Sequence, residues 1–240
     1  MERGSGMNNQ VKNRIVCSMT TWSKRIGSCK PTLDSIINQT RKADLIELNL
    51  DRDNFPNERK DIPEWLVQME NDNDNLHIYF QEHDMHVWEK FVPTFRRHNE
   101  DFISVTLDCD VNYPPTYLEE IEKNMQNADW LCTQHDDMTQ GQYMVYGPKA
   151  VKLMTERVTN EVINDIDLDD HFIGHLLFQS GLKRGKKIEA KCEDRQEGYS
   201  FRRFFVDGYD EAELKDSSCD YPKRQFIKER ILMHNKYGVG

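Results

Sequence analysis

The stretch Phe102–Pro115, FISVTLDCDVNYPP, constrains the fold of this chain more than any other. A run rich in β-branched and aromatic residues, Phe102 to Leu107, stops at two aspartates separated by one residue, and Tyr113-Pro114-Pro115 then ends the segment. Such a run reads as a buried strand. The two-residue period of a strand sends Asp108 and Asp110 to the same face of its end. Two hard carboxylates held side by side repel. Sharing a cation such as Mg²⁺ or Mn²⁺ removes the repulsion, and that ion would also bind phosphate oxygens. An ordinary acidic turn after a strand is the alternative that the same residues permit.

The pattern recurs along the first half of the chain. Short apolar runs at Arg14–Ser18, Leu45–Leu50, Leu76–Phe80 and Phe102–Leu107 predict strands. Between them lie helical patterns: one opening at Pro31 with Leu33, Ile36 and Ile37 on one side, a short one within Asp61–Glu70, and one over Trp88–Arg97. In the last of these, Pro93 must sit in the first turn or break the helix. Pro115–Met125 predicts a further helix, with Tyr117, Leu118, Ile121 and Met125 along one face. Alternation of this kind predicts an α/β fold with a mostly parallel central sheet flanked by helices. Beyond about residue 128 the order loosens. Trp130–Thr133 and Gln142–Tyr146 read as strands that form a small antiparallel extension, and Lys149–Arg157 and Asp169–Ser180 read as helices. The tail from Lys186 is charged and carries Tyr199, Phe201, Phe204, Phe205 and Tyr209, which suits a segment that wraps the domain.

Residues 1–6, MERGSG, read as an expression scar before Met7 and are set aside. Residues 7–240 are expected to form a single domain of two halves, about 14–125 and about 126–240. The formal charge of −10 argues against a nucleic-acid polymer as partner, since such binding draws on clustered Lys and Arg. It does not exclude one nucleotide. No run of about 18 apolar residues is present, so no membrane span is expected. The 6 cysteines contain no C-x-x-C, and Cys17, Cys109 and Cys132 fall in or beside strand patterns. They are expected to be reduced core residues of a cytoplasmic protein. The basic run Lys183-Arg184-Gly185-Lys186-Lys187 reads as a solvated loop.

In open α/β sheets, ligands bind outside the carboxyl ends of the strands. Polar groups collect at several of those ends here: Thr20–Arg25, Asp51–Asp53 and Asp108–Asp110. The ordered set SMTTWSKRI (Ser18–Ile26), LDSIINQT (Leu33–Thr40), WEKFVPTF (Trp88–Phe95), TLDCDVNYPP (Thr106–Pro115) and DLDDHFI (Asp167–Ile173) resembles small glycosyltransferases of the GT-A fold, which occur in bacteria and large DNA viruses. The resemblance spans roughly residues 14–182. It implies a metal-dependent enzyme that moves a sugar from a nucleotide-sugar donor, expected to be a uridine diphosphate sugar, to a glycan or other hydroxyl acceptor with inversion.

The same resemblance implies roles for individual residues. Thr20, Thr21 and Arg25 would cradle the nucleotide, Asp51 would accept a hydrogen bond from the base or ribose, and Lys90 would point at the nucleotide. Asp108 and Asp110 would hold Mn²⁺ or Mg²⁺ against the diphosphate, Asp108 also lying near the ribose, with His234 a candidate third ligand. Asp169 or Asp170 would be the general base, Asp170 being preferred, and Asp167 a helix cap. His171 and His175 share a helix face and suit either packing or a metal, and His135-Asp136-Asp137 suits either the acceptor side or an acidic turn. Two other classes fit some of these residues. A haloacid-dehalogenase-type phosphatase would use Asp108 as nucleophile and Asp169/Asp170 as magnesium ligands, but its motif belongs on a first strand. A non-catalytic nucleotide-sugar-binding module would need neither carboxylate pair intact.

Overall fold

The computed structural model describes residues 14–134, 143–166, 169–194 and 232–238. The initial six residues, Asp167, His135-Asp136-Asp137, Cys219 and the aromatics from Tyr199 to Tyr209 lie outside the described residues, and so does the side chain of His171.

Six strands form the main sheet in the order β3-β2-β1-β4-β7-β6. They are β1 (Arg14–Thr20), β2 (Leu45–Asp51), β3 (Leu76–Gln81), β4 (Phe102–Leu107), β6 (Trp130–Cys132) and β7 (Met144–Tyr146). A separate two-stranded ribbon pairs β5 (Val111–Asn112) with β8 (Glu193–Asp194). β1 lies parallel to both β2 and β4, and β2 parallel to β3. The expected antiparallel extension is present, because β7 runs against both β4 and β6. The first four strands are nearly continuous apolar runs. That composition fits a parallel sheet covered on both faces.

Helices supply the cover, each through an apolar stripe at three- and four-residue spacing. α1 (Cys29–Ile37) buries Cys29, Thr32, Leu33 and Ile36, and α4 (Tyr117–Met125) buries Tyr117, Leu118, Ile121 and Met125. α2 (Glu64–Asp72), α5 (Pro148–Arg157), α6 (Asn160–Asp165) and α7 (Asp169–Gln179) complete the layers with α3 (Val92–Arg97). The Thr159 side chain caps α6 by accepting from the Val162 N–H at 3.3 Å. Buried apolar side chains form one cluster that runs from Ile15 through Val105 and Tyr146 to Leu177. Among the described residues no helix is long and apolar enough to cross a membrane.

Three details differ from the sequence reading. The helix predicted over Trp88–Arg97 is two pieces: a 3₁₀ segment, His86–Lys90, and then α3, with Pro93 in its first turn and the break at Phe91. Pro93 has no N–H, and its ring forbids a continuous α-helix through that point. α1 begins at Cys29, so Pro31 lies inside its first turn and does not open it. The short α6 and the β5–β8 ribbon were not anticipated, since two- to six-residue elements leave little periodic signal. Of the expected wrapping tail, the helix over 232–237 packs back on the domain: Met233 is buried, the Tyr237 hydroxyl donates to Asp165 at 2.5 Å, and its ring meets Phe172 edge-on at 6.0 Å.

Candidate active site

Because β1, β2, β3 and β4 run the same way, Thr20, Asp51, Gln81 and Asp108 all emerge at one edge of the sheet. The chain order reverses there, with β2 on one side of β1 and β4 on the other, and in open α/β sheets such a switch point at the carboxyl ends is where ligands bind.

Asp108 and Asp110 stand at that edge, each paired with a cation from another segment. Lys90 Nζ, at the end of the 3₁₀ segment, lies 2.5 Å from Asp108 Oδ1. Arg25 Nη2, in the loop after β1, lies 2.5 Å from Asp110 Oδ2. The backbone holds these carboxylates in place. The Asp108 N–H donates to the Tyr113 hydroxyl oxygen at 2.9 Å, and the Thr32 hydroxyl donates to the Val111 carbonyl at 2.8 Å. Cys109 between them is buried beside Cys29, Thr21 and Arg25. Burial pushes the pKa of Lys90 down, but the Asp108 and Asp169 carboxylates beside it win and raise it. Arg25 behaves alike: burial opposes its charge, while Cys109 and Asp110 favour it.

Asp169 and Asp170 open α7, as expected. Asp169 is buried and Asp170 half-buried. Desolvation first, and then the neighbouring Asp170 charge, push the Asp169 carboxyl up to about 7, partly offset by Lys90. Asp169 Oδ2 is buried with no hydrogen-bond partner. The Tyr146 hydroxyl is buried as well, and its pKa is raised by burial and by the Asp169 and Asp170 charges. Among the described residues, four carboxyl groups, Asp108, Asp110, Asp169 and Asp170, thus share one neighbourhood with the cations Arg25 and Lys90.

Thr20, Thr21 and Asp51, expected to meet a nucleotide, lie beside this group with further acidic residues around them. Asp51 is buried and bound by Asn54, whose backbone N–H donates at 2.7 Å and whose side-chain amide donates at 2.9 Å. The Thr20 hydroxyl donates to Glu89 Oε2 at 3.0 Å. Glu89, Asp51 and Asp84 place carboxylate oxygens within 4.8 Å of one another. Burial, and then the Asp51 charge, push Glu89 up to about 9, so it holds a proton at neutral pH. Glu89 and Asp84 escaped the sequence reading. An acid between Trp88 and Lys90 looks like a helix surface position until the 3₁₀ geometry turns it inward.

His234 is exposed on the helix over 232–237, one residue from the buried Met233. That helix is fastened to α6 through Lys236, which pairs with Glu161 and Asp165 at 2.7 Å each. The donor set at Asp108 and Asp110 fits a divalent cation: hard carboxylate oxygens on one strand end, with the orphaned Asp169 oxygen in the same neighbourhood.

No protein-family model matches the chain, and no curated protein sequence matches it. Solved structures do. The chain is similar to TarS of S. aureus, a GT-A-like glycosyltransferase, with a TM-score of 0.52 and 9% identity over 73% of this chain and 59% of the TarS 1–349 structure. A second TarS structure gives a TM-score of 0.55 at 9% identity, covering 76% of this chain and 37% of the other. The chain therefore spans 59% and 37% of the length of these two structures. At such identity the likeness is one of architecture alone, a mostly parallel sheet with flanking helices.

Proposed function

We propose that this chain is a glycosyltransferase that moves a sugar from a nucleoside diphosphate donor, a uridine diphosphate sugar, to a hydroxyl acceptor with inversion. One observation carries the reading: Asp108 and Asp110, each beside a cation, lie at the strand ends beside the Asp169–Asp170 pair. A site of that composition can hold a diphosphate at one end and take a proton at the other.

The roles follow from position. Thr20, Thr21 and Asp51 line the nucleoside end. Arg25 and Lys90 neutralise charge on the departing diphosphate, a planar guanidinium being suited to two phosphate oxygens at once. Asp108 and Asp110 would hold a divalent cation there. Such an ion supplies Lewis-acid stabilisation of the leaving group when bound. Asp170, the less buried member of its pair, takes the proton of the acceptor hydroxyl. The acceptor oxygen then bonds to the anomeric carbon from the face opposite the diphosphate, and the breaking C–O bond leaves its electron pair on the diphosphate.

Purified protein incubated with uridine diphosphate sugars, Mn²⁺ and a panel of simple glycosides should release uridine diphosphate and form a glycoside. Asp170→Asn should lower the rate by about 10²-fold or more while donor affinity holds. Undiminished transfer by Asp170→Asn would remove the base assignment. Hydrolysis of p-nitrophenyl phosphate without any release of diphosphate from a sugar donor would replace the reading with the phosphatase.

A further inference from the structure

Both carboxylates of the Asp108–Asp110 pair are engaged by cations that come from different segments of the chain. Lys90 Nζ and Asp108 Oδ1 are 2.5 Å apart, with side chains only 13% and 18% exposed. Arg25 Nη2 and Asp110 Oδ2 are also 2.5 Å apart, but the arginine side chain is 43% exposed and the aspartate 8%. Charges in so enclosed a place do not stay unpaired, since removing one partner of a buried pair is strongly unfavourable. A divalent cation at ligand distance from these oxygens would crowd an ammonium and a guanidinium of like charge. Both side chains would then need another anion within reach. A diphosphate lying against the same carboxylates is one.

We propose that Lys90 and Arg25 are exchangeable counter-ions. They neutralise Asp108 and Asp110 until donor and metal arrive together, and they then pass to the diphosphate oxygens as the carboxylates take the metal. No covalent bond changes in this exchange. It rests on the sugar-transfer reading and adds a consequence to it: metal and nucleoside diphosphate bind with strong positive coupling, each raising the affinity of the other by the same factor. Metal alone must compete with two internal cations. Nucleotide alone meets carboxylates and finds the cations occupied. Lys90, the more enclosed of the two, carries more of the coupling than Arg25, whose exposed side chain can move to solvent. The contrasting arrangement is a pair of permanent fasteners, in which the metal uses the remaining carboxylate oxygens and leaves both ion pairs in place.

Titration calorimetry on the full chain separates the two. Mn²⁺ is titrated with and without saturating uridine diphosphate, and the nucleotide with and without Mn²⁺, for the parent, Lys90→Met and Arg25→Gln. Thermal unfolding checks that each variant is folded. The parent should bind Mn²⁺ about tenfold or more tightly once the nucleotide is present. Lys90→Met should bind Mn²⁺ alone about fivefold more tightly than the parent, bind the nucleotide less tightly, and show a coupling factor several-fold smaller than the parent's. Arg25→Gln should shift the same way by less, and it decides the matter if Lys90→Met does not fold. Independent binding of Mn²⁺ and nucleotide by the parent overturns the exchange and leaves the sugar-transfer reading standing. So does a folded variant that binds Mn²⁺ alone no better than the parent. A parent that binds neither ligand overturns both.

Discussion

The Thr20 hydroxyl at the end of β1 donates to Glu89 Oε2 at 3.0 Å, joining the sheet edge to the segment that delivers Lys90. Glu89 is 2% exposed, and its other oxygen has no partner. Burial and the nearby Asp51 charge raise its pKa from an ordinary 4.5 to about 9. The folded protein therefore keeps a proton that the unfolded chain gives up, and stability is lost as pH rises through that interval. Asp169, raised from 3.8 to about 7, acts in the same sense over a lower window. Glu89 contributes up to about 1.4 kcal/mol per pH unit to this loss, and above pH 7 the Cys109 thiol, lowered from 9.0 to about 7 chiefly by its hydrogen bond with Cys29, acts in the opposite sense. Glu89→Gln keeps an acceptor for Thr20 and removes the titration. Urea midpoints measured from pH 5 to 9 should fall more steeply for the parent than for the variant; equal slopes would contradict this.

Trp88 links the two halves of the candidate site. Its indole N–H donates to the Ile166 carbonyl at 2.7 Å, and its ring meets Phe91 and Phe172 edge-on, both at 5.9 Å. It thus holds the segment that carries Lys90 against the approach to Asp169. Trp88→Phe leaves a buried carbonyl without its donor, a loss of about 2 kcal/mol. Thermal unfolding should show the destabilisation, and nucleotide affinity should drop along with it. A variant as stable as the parent would mean that the hydrogen bond contributes nothing net.

Glu47 is a fully buried acid in the middle of β2. Arg97 Nη1 lies 2.5 Å from Oε2, the Thr94 hydroxyl donates to the same oxygen at 2.6 Å, and His98 Nε2 lies 2.8 Å from Oε1. The Arg97 guanidinium also stacks on Tyr79, 3.6 Å from the ring centre. This network pins α3 to the sheet. Arg97→Ala should cost about 3 kcal/mol of stability, and Glu47→Gln together with Arg97→Ala should cost less than the two single changes summed. Denaturant melts of the four proteins check it, and strict additivity would show that the pair is not coupled.

Gly185 faces the β6 region so closely that a Cβ would stand 3.0 Å from Ala128 Cβ and 3.1 Å from Leu131 Cβ. Both contacts are with atoms next to the backbone and cannot swing away. Gly185→Ala should destabilise by about 1–3 kcal/mol, read as a lower melting temperature. An unchanged melting temperature would show that the loop around Arg184 moves aside freely.

Much of the architecture was present in the sequence as pattern. Strands β1 to β4 are long apolar runs and α4 a clean four-residue stripe, so their type follows from burial and periodicity whatever surrounds them. The two aspartates on one strand end, and the acidic opening of α7, could be read for the same local reason. Tertiary structure alone decided which groups meet. Nothing near Lys90 in the chain points to Asp108, and nothing near Arg25 points to Asp110. Those pairs exist because parallel strands deliver their carboxyl ends to one edge, which brings together segments 18 and 85 residues apart. Glu89 shows the converse. Its neighbours suggest a solvent-facing acid, yet a 3₁₀ turn at the strand ends buries it and changes its charge. Local chemistry sets what a segment can become; long-range register sets what each charge must face.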